Sequence, residues 1–511
     1  MRCKSIGRLS AILLVATSMQ TILSAPVQSA PATKEITDGG ITFAVEQGLV
    51  SEKGVFPNFV DVTTADGMVT LSGTVIDLLA KDRALKIAES IRGVRAVIDR
   101  ITVASKPRSD EAVRKDIASA LLQDPATESY RVTVSVKNAA AILAGSVGSY
   151  AEQQLVARIA KSVRGVKEVV NDVTIDYQAK RTDTEIAADV KSRLQWDIWV
   201  DGDLIKSAVQ AGKVTLRGTV GSAIGKSRAH DDAWVAGVVS VDDGGLKVET
   251  WARNDMKRRT KYPIRSDEEI KNAVQAVLRL DPRVSPFSPD VTVEGGIVIL
   301  GGTVGNLKAK ISAEQDVKNT TGALGVDNLL KVTPSGPSTD ADIKRQLNAV
   351  LLWDPLLDTS TIHVAIADHV AYLSGSVQSS PQKAEAQDAA SRTKGVVAVV
   401  NHLKVESDFS VSQNAWPDYL GYAWPYYGQS PYYFSEAFGP QAFLSDEKIG
   451  RNVEERLFWS PFVHKDNIKV SVDGGVATLT GTVGTWLGWA EADKAARRSG
   501  ATNVHNRIRV K

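Results

Sequence analysis

The sequence predicts an α+β protein: tandem copies of an α-β-β-α-β unit, each a three-stranded mixed sheet with two helices on one face. Three observations carry that prediction. A seven-residue phrase recurs six times, as VTLSGTV around Gly73, AILAGSV around Gly145, VTLRGTV around Gly218, VILGGTV around Gly302, AYLSGSV around Gly375 and ATLTGTV around Gly481. A second glycine, at 93, 165, 237, 322, 395 and 500, follows each of these by 19 or 20 residues. Helix-start signals, such as Thr182 with Glu185 and Ser266 with Glu269, precede the phrase in successive copies. Two marks at fixed spacing define a tandem repeat. The apolar-polar alternation of the phrase reads as a half-buried strand.

The first element lies outside the repeats. Arg2, Lys4 and Arg8 precede an apolar run from Ala11 to Leu23, and Ala30-Pro31-Ala32 gives a small-x-small cleavage pattern. Residues 1–32 therefore read as a secretory signal peptide, with an apolar run short of the ~20 residues that span a bilayer. The expected location is the periplasm of a Gram-negative bacterium. Cys3, the one cysteine of the 511 residues, falls in that segment. The mature chain then offers no disulfide, thiolate nucleophile or cysteine metal site. With 61 basic and 59 acidic residues in the whole chain, there is no global pull toward nucleic acid.

The unit is clearest in its second copy. Ser109 caps a helix with Asp110 and Glu111 in its first turn, where acids complement the dipole. Ile117, Leu121 and Leu122 mark its apolar face, and Asp124-Pro125 stops it. Arg131 to Val136 alternates as a first strand, and a tight turn leads into the phrase as the second strand. Asp66-Gly67, Gly295-Gly296 and Asp473-Gly474-Gly475 supply the hairpin chemistry in other copies. Ser149 and Glu152 box a second helix with Leu155, Ile159 and Val163 on one face. Gly165 ends it, and Val169 to Ile175 is the third strand. The crossover makes the second and third strands parallel, beside an antiparallel hairpin.

The copies run over 34–104, 109–178, 182–250, 266–333, 338–406 and 445–511. A basic linker at 251–265 and an aromatic, proline-rich insertion at 407–443 separate them where the glycine spacing lengthens. The Asp-Pro stop, the V-x-L-x-G-x-V strand and the later G-V-x-x-V-x-N-x-L resemble the BON domain of bacterial osmotic-stress and nodulation proteins. The resemblance covers nearly all of the mature chain. It implies an exported, non-enzymatic module that binds phospholipid or another envelope surface.

The six phrase glycines, Gly73, Gly145, Gly218, Gly302, Gly375 and Gly481, read as structural, each avoiding a side chain where the strand crowds the helices. No cofactor or metal is expected. The six histidines show no HxxxH or HExxH spacing. His230-Asp231-Asp232 reads as a solvated helical face. Gly221 to Ser227, GSAIGKS, imitates a phosphate loop but has three residues between its glycines where four are needed.

Three features suit contact with lipid or a partner. Lys257, Arg258 and Arg259 lie in the linker, where they either pair with anionic headgroups or remain solvated. Trp196, Trp353 and Trp459 end first helices, where a ring with one N–H suits a membrane interface or repeat-to-repeat packing. Trp416, Trp424, Tyr426 and Tyr427 belong to an insertion with eleven aromatics in thirty residues, unlike an aromatic-poor disordered linker. The expected function is multivalent weak binding of phospholipid or envelope surfaces, in envelope or osmotic stress. The alternative is a periplasmic scaffold, structural or protein-binding, without lipid affinity.

Overall fold

A first helix begins on an aspartate in every repeat: Asp38–Ser51, Asp110–Gln123, Asp183–Trp196, Asp267–Leu278, Asp340–Trp353 and Asp446–Trp459. These elements come from a computed structural model that describes residues 36–51, 59–105, 107–127, 130–177, 180–253, 265–334, 336, 338–377, 380–405, 444–463, 467–501 and 503–511. Thr37–Lys511 forms one compact unit. Among the described residues no helix is long and apolar enough to cross a membrane.

Local chemistry explains the helix starts. Ser109 accepts a hydrogen bond from the Ala112 N–H, and Thr182–Glu185 and Ser266–Glu269 form full capping boxes. Thr339 with Asp342 makes a third box. The expected box at the second helix of repeat 2 differs slightly. Ser149 does cap Glu152, but the Glu152 carboxylate reaches back to the Gly148 N–H at 2.6 Å. Second helices span Leu78–Glu89, Tyr150–Lys161, Ala223–Asp232, Leu307–Lys318, Ser380–Arg392 and Trp486–Arg497.

In repeat 2 the strands Arg131–Lys137, Ala140–Val147 and Glu168–Ile175 form one sheet in that order, the first pair antiparallel and the second parallel. Repeats 1, 3 and 6 share this sheet. In repeat 4 the second strand breaks at Gly302 and the third at residues 329–330; in repeat 5 only the third breaks, at 402–403. The fold is thus α+β, repeated six times.

Strand residues two apart and helix residues three or four apart meet in the core, as the two periodicities require. In repeat 2, fully buried Ala141 and Leu143 pack with Val113, Ile117 and Leu121 of the first helix and Leu155 and Ile159 of the second. Each such Val, Leu or Ile side chain stabilises by about 1.5–3 kcal/mol. Cores also cross repeat boundaries. Leu78 and Val103 of repeat 1 join the core of repeat 2, and Leu307 of repeat 4 packs on the core of repeat 5. Ile198, Phe462 and Leu487 make a smaller cluster between repeats 3 and 6, with the Trp199 and Phe462 rings edge to face at 4.9 Å.

Candidate functional site: inter-repeat seams and a central cavity

The phrase glycines are structural for a reason the sequence reading misplaced. All six have positive φ, from 98° to 139°. A side chain on Gly73, Gly145, Gly218, Gly375 or Gly481 would start 1.9–2.2 Å from a carbonyl oxygen at the entry of the first strand, that of Phe59, Arg131, Leu204, Thr361 or Asn467. The crowding atom is the neighbouring strand's backbone, not a helix. Gly302 differs: its nearest atom lies 3.7 Å away, so only its φ demands glycine.

The aspartate that opens each first helix does more than complement the dipole. The Asp110 carboxylate accepts both turn N–H groups, from Asn138 at 2.8 Å and Ala139 at 2.9 Å. Asp38, Asp183, Asp267, Asp340 and Asp446 hold the two turn amides of their own hairpins in the same way. Both central turn residues have positive φ, including Ala139 and His369, which lack glycine's freedom. The outward N–H groups of such a turn need an acceptor, and the carboxylate supplies it. The signal was present, a Ser/Thr-Asp pair 28 residues before each turn.

The tryptophans mark the seams between repeats. The Trp459 carbonyl accepts the Arg92 N–H at 2.8 Å, the Trp353 carbonyl that of Arg164 at 2.9 Å, and the Trp196 carbonyl that of Thr321 at 2.8 Å. Each donor immediately precedes the second-mark glycine of its repeat. These bonds pair repeat 6 with 1, repeat 5 with 2 and repeat 3 with 4. The last carbonyls of a helix lack intrahelical partners, so the seam satisfies them. Trp459 is 5% exposed and donates its Nε1–H to Glu455 at 2.7 Å. Trp353 is half-buried, and Arg164 also donates to the Asp354 and Leu357 carbonyls. Arg265 lies over the Trp196 ring at 4.9 Å.

The Asp-Pro stop has a second duty. Asp124 turns the chain by accepting from the Ala126 N–H, and its carboxylate also takes both guanidinium nitrogens of Arg283 at 2.9 Å. This pair joins repeats 2 and 4 and is nearly buried. Lys161–Asp82 links repeats 2 and 1, and Lys308–Asp388 links repeats 4 and 5.

Repeats 1 to 4 surround a cavity of about 680 Å³. Its walls carry Lys86 and Glu89 of repeat 1, Tyr150 and Arg158 of repeat 2, Arg228, Asp231 and Trp234 of repeat 3, and Asp281, Arg283 and Asp316 of repeat 4. The Tyr150 and Trp234 rings stack at 4.4 Å. The helical face expected to be solvated is so only in part: Asp231 is exposed, whereas Asp232 is buried. Asp232 is 1% exposed and pairs at 3.0 Å with Arg193, on the first helix of its own repeat, against which this helix packs. Burial, then the neighbouring Asp197 charge, pushes the Asp232 carboxyl up, against Arg228 and Arg193. Burial also raises Glu89 and Asp231, and raises Asp316 strongly with help from Asp281. Desolvation, then Arg283, lowers the Arg158 guanidinium.

The imitation phosphate loop is a helix cap: Ser222 accepts from the Gly225 N–H, and Lys226 reaches the Leu246 carbonyl and Asp243. Among the described residues no group of acids and histidines could hold a metal ion. Lys257, Arg258, Arg259, Trp416, Trp424, Tyr426 and Tyr427 lie outside the described residues, as does the leader at 1–32.

A model of the BON domain matches residues 37–105, 109–177, 182–250, 266–334, 339–407 and 445–511. The chain is 32% identical over 143 residues to osmotically-inducible protein Y of Escherichia coli (strain K12), covering 27% of this chain and 71% of that protein. A structural protein of the type III secretion system of Chlamydia trachomatis, CdsD, aligns over 39% of this chain and 88% of its own at 15% identity, with a TM-score of 0.12. Its C-terminal domain aligns over 42% and 100% at 14% identity, also with a TM-score of 0.12. At that TM-score neither carries weight. The six matched segments and their shared α-β-β-α-β fold place the chain in the BON domain family.

Proposed function

We propose that the protein is an exported, non-enzymatic component of the bacterial envelope that binds phospholipid surfaces through several weak contacts, in osmotic or other envelope stress. Membership of the BON family and similarity to a protein named as osmotically inducible support the setting. One observation supports the mode of binding. Three repeats use the carbonyl of the tryptophan that ends their first helix to bond a neighbouring repeat, while the densest basic run and the densest aromatic run fall between repeats in the sequence. Each basic residue near an anionic surface contributes about 1 kcal/mol, screened by salt. Aromatic rings settle at the interface while nearby backbone groups stay wet. Linked weak contacts then gain avidity without any strong site.

Co-sedimentation with liposomes tests this. Deleting residues 414–443 should weaken binding at every salt concentration. Neutralising Lys257, Arg258 and Arg259 should weaken it mainly at low salt. Unchanged sedimentation after both alterations would overturn the proposal. The second reading, a scaffold without lipid affinity, is favoured by the burial of Trp459 in a seam. For that reading, tryptophan emission is already blue-shifted in buffer and lipid leaves it unchanged.

A further inference from the structure

Basic side chains are spread unevenly over the outer faces of the sheets, those turned away from the helices. In repeat 3 the outer face carries Lys206, Lys213, Arg217 and Lys247 against Asp242, all exposed. In repeat 6 it carries Lys469, His505, Arg507 and Arg509 against Asp473, again all exposed. Elsewhere Arg131 and Lys137 are matched by Glu168 and Asp172 in repeat 2, and Lys331 is outweighed by Asp290, Glu294 and Asp327 in repeat 4. Repeat 1 sets Arg100 against Asp61, and repeat 5 has Lys404 alone. Among the described residues the lysines and arginines on the faces of repeats 3 and 6 form no salt bridge. Lys206 stands directly opposite Arg217 in the ladder, where like charges repel and cost stability. The same position pairs Asp61 with Ser72, Thr133 with Ala144, His363 with Ser374 and Lys469 with Thr480. None of these sets like charges together.

These charges also share a place. Lys206, Arg217 and Lys247 lie at one end of their sheet, and Lys469, Arg507 and Arg509 at the matching end of theirs. Ile198 and Trp199 lead into the first strand of repeat 3 at that end. Phe462 precedes the first strand of repeat 6, and Leu487 follows its second, at the matching end. The cluster of Ile198, Phe462 and Leu487 therefore brings the two basic ends to either side of one contact. On an open sheet a small anion meets one or two such cations at a time, whereas an extended anionic surface meets them together and raises the attraction. The strands of both faces contain no tryptophan, tyrosine or phenylalanine, the rings on which nucleic-acid bases stack. We propose that the outer faces of repeats 3 and 6 form one docking surface for a bilayer carrying anionic phospholipid, with their basic ends against the headgroups. This rests on the envelope-surface reading above and adds to it the face that meets the membrane. Each basic residue strengthens the attraction within a Debye length, and the headgroups relieve the repulsion between Lys206 and Arg217.

Co-sedimentation of the full chain at low salt tests this, with phosphatidylcholine vesicles that contain or lack phosphatidylglycerol. A variant combining Lys206→Gln, Arg217→Gln, Arg507→Gln and Arg509→Gln should bind the phosphatidylglycerol vesicles at least about tenfold more weakly than the parent. A matched variant combining Arg100→Gln, Arg131→Gln, Lys137→Gln and Lys331→Gln removes the same charge from other faces and should change binding by less than about threefold. The first variant removes a repulsive pair from an exposed face, so its melting temperature should match or exceed the parent's. Equal losses in the two variants would mean that net charge drives binding, and would overturn the docking surface. A parent that binds while the first variant binds as tightly would overturn it too, with the envelope reading left standing. A parent that binds neither kind of vesicle would overturn both. Tighter binding of inorganic polyphosphate than of the vesicles, charge for charge, would make the partner a linear polyanion and refute the bilayer assignment.

Discussion

Gly375 and Gly302 occupy the same place in their repeats and should respond differently to a methyl group. At Gly375 alanine faces both a φ of 109° and the Thr361 carbonyl oxygen at 2.0 Å; at Gly302 it faces only a φ of 98°. Overpacking and backbone strain each cost about 1–3 kcal/mol. Gly375→Ala should therefore cost about 2–4 kcal/mol and Gly302→Ala about 1–2 kcal/mol. The onset of thermal unfolding of the full chain should fall further for Gly375→Ala, and equal shifts would remove the carbonyl from the explanation. The glycines were legible in the sequence because one phrase carries them six times. The atom that demands them was not, since hairpin register brings Thr361 to Gly375 across thirteen intervening residues.

At the scale of the element, helices, strands and turns were legible because caps, alternation and turn residues are local signals. The link between a helix start and a hairpin turn was hidden. Asp110 already had a sufficient local role in the helix dipole, and nothing local joins it to Asn138 and Ala139. Replacing Asp110 with alanine orphans both turn N–H groups and should destabilise repeat 2 by about 1–2 kcal/mol, the net worth of exposed charge-assisted bonds. Asp110→Asn retains one acceptor and should fall between. A lowered urea midpoint in circular dichroism checks the order, and identical midpoints for both variants would show that the turn stands without the clamp. Repeats 4 and 5 break their strands where the sequence showed no interruption. Asn328 and Asn401 each donate to the second helix and accept the N–H two residues on, but Asn506 does the same in the unbroken third strand of repeat 6, so these bonds do not explain the breaks.

At the scale of the whole molecule, the tryptophans were legible as contact residues but their partners were not. Pairing repeat 6 with 1, 5 with 2 and 3 with 4 depends on how twelve helices converge, which no spacing in the chain records. Convergence also buries acids, and this predicts a pH dependence. A carboxyl whose folded pKa is raised binds protons on folding, so stability declines as pH rises from the unfolded value through the folded one. Asp232, raised from 3.8 to about 7, sets the window, and Glu89, Asp231 and Asp316 act in the same direction. Melting temperature should therefore fall by about 2–5 °C between pH about 5.5 and about 8. Asp316→Asn should flatten part of that slope. A melting temperature that rises across this range would refute the assignment.

The claim that six repeats close into one body rests most directly on three backbone hydrogen bonds across the seams. Hydrogen exchange at the amides of Arg92, Arg164 and Thr321 in the full chain measures them. Each amide lies in a short loop before a glycine, where an isolated repeat offers it no acceptor. Protection comparable to that of the adjacent sheet amides is the predicted result for all three. Exchange at the rate of exposed loop amides, with the sheets still protected, would show six repeats folded separately and would contradict the closed body.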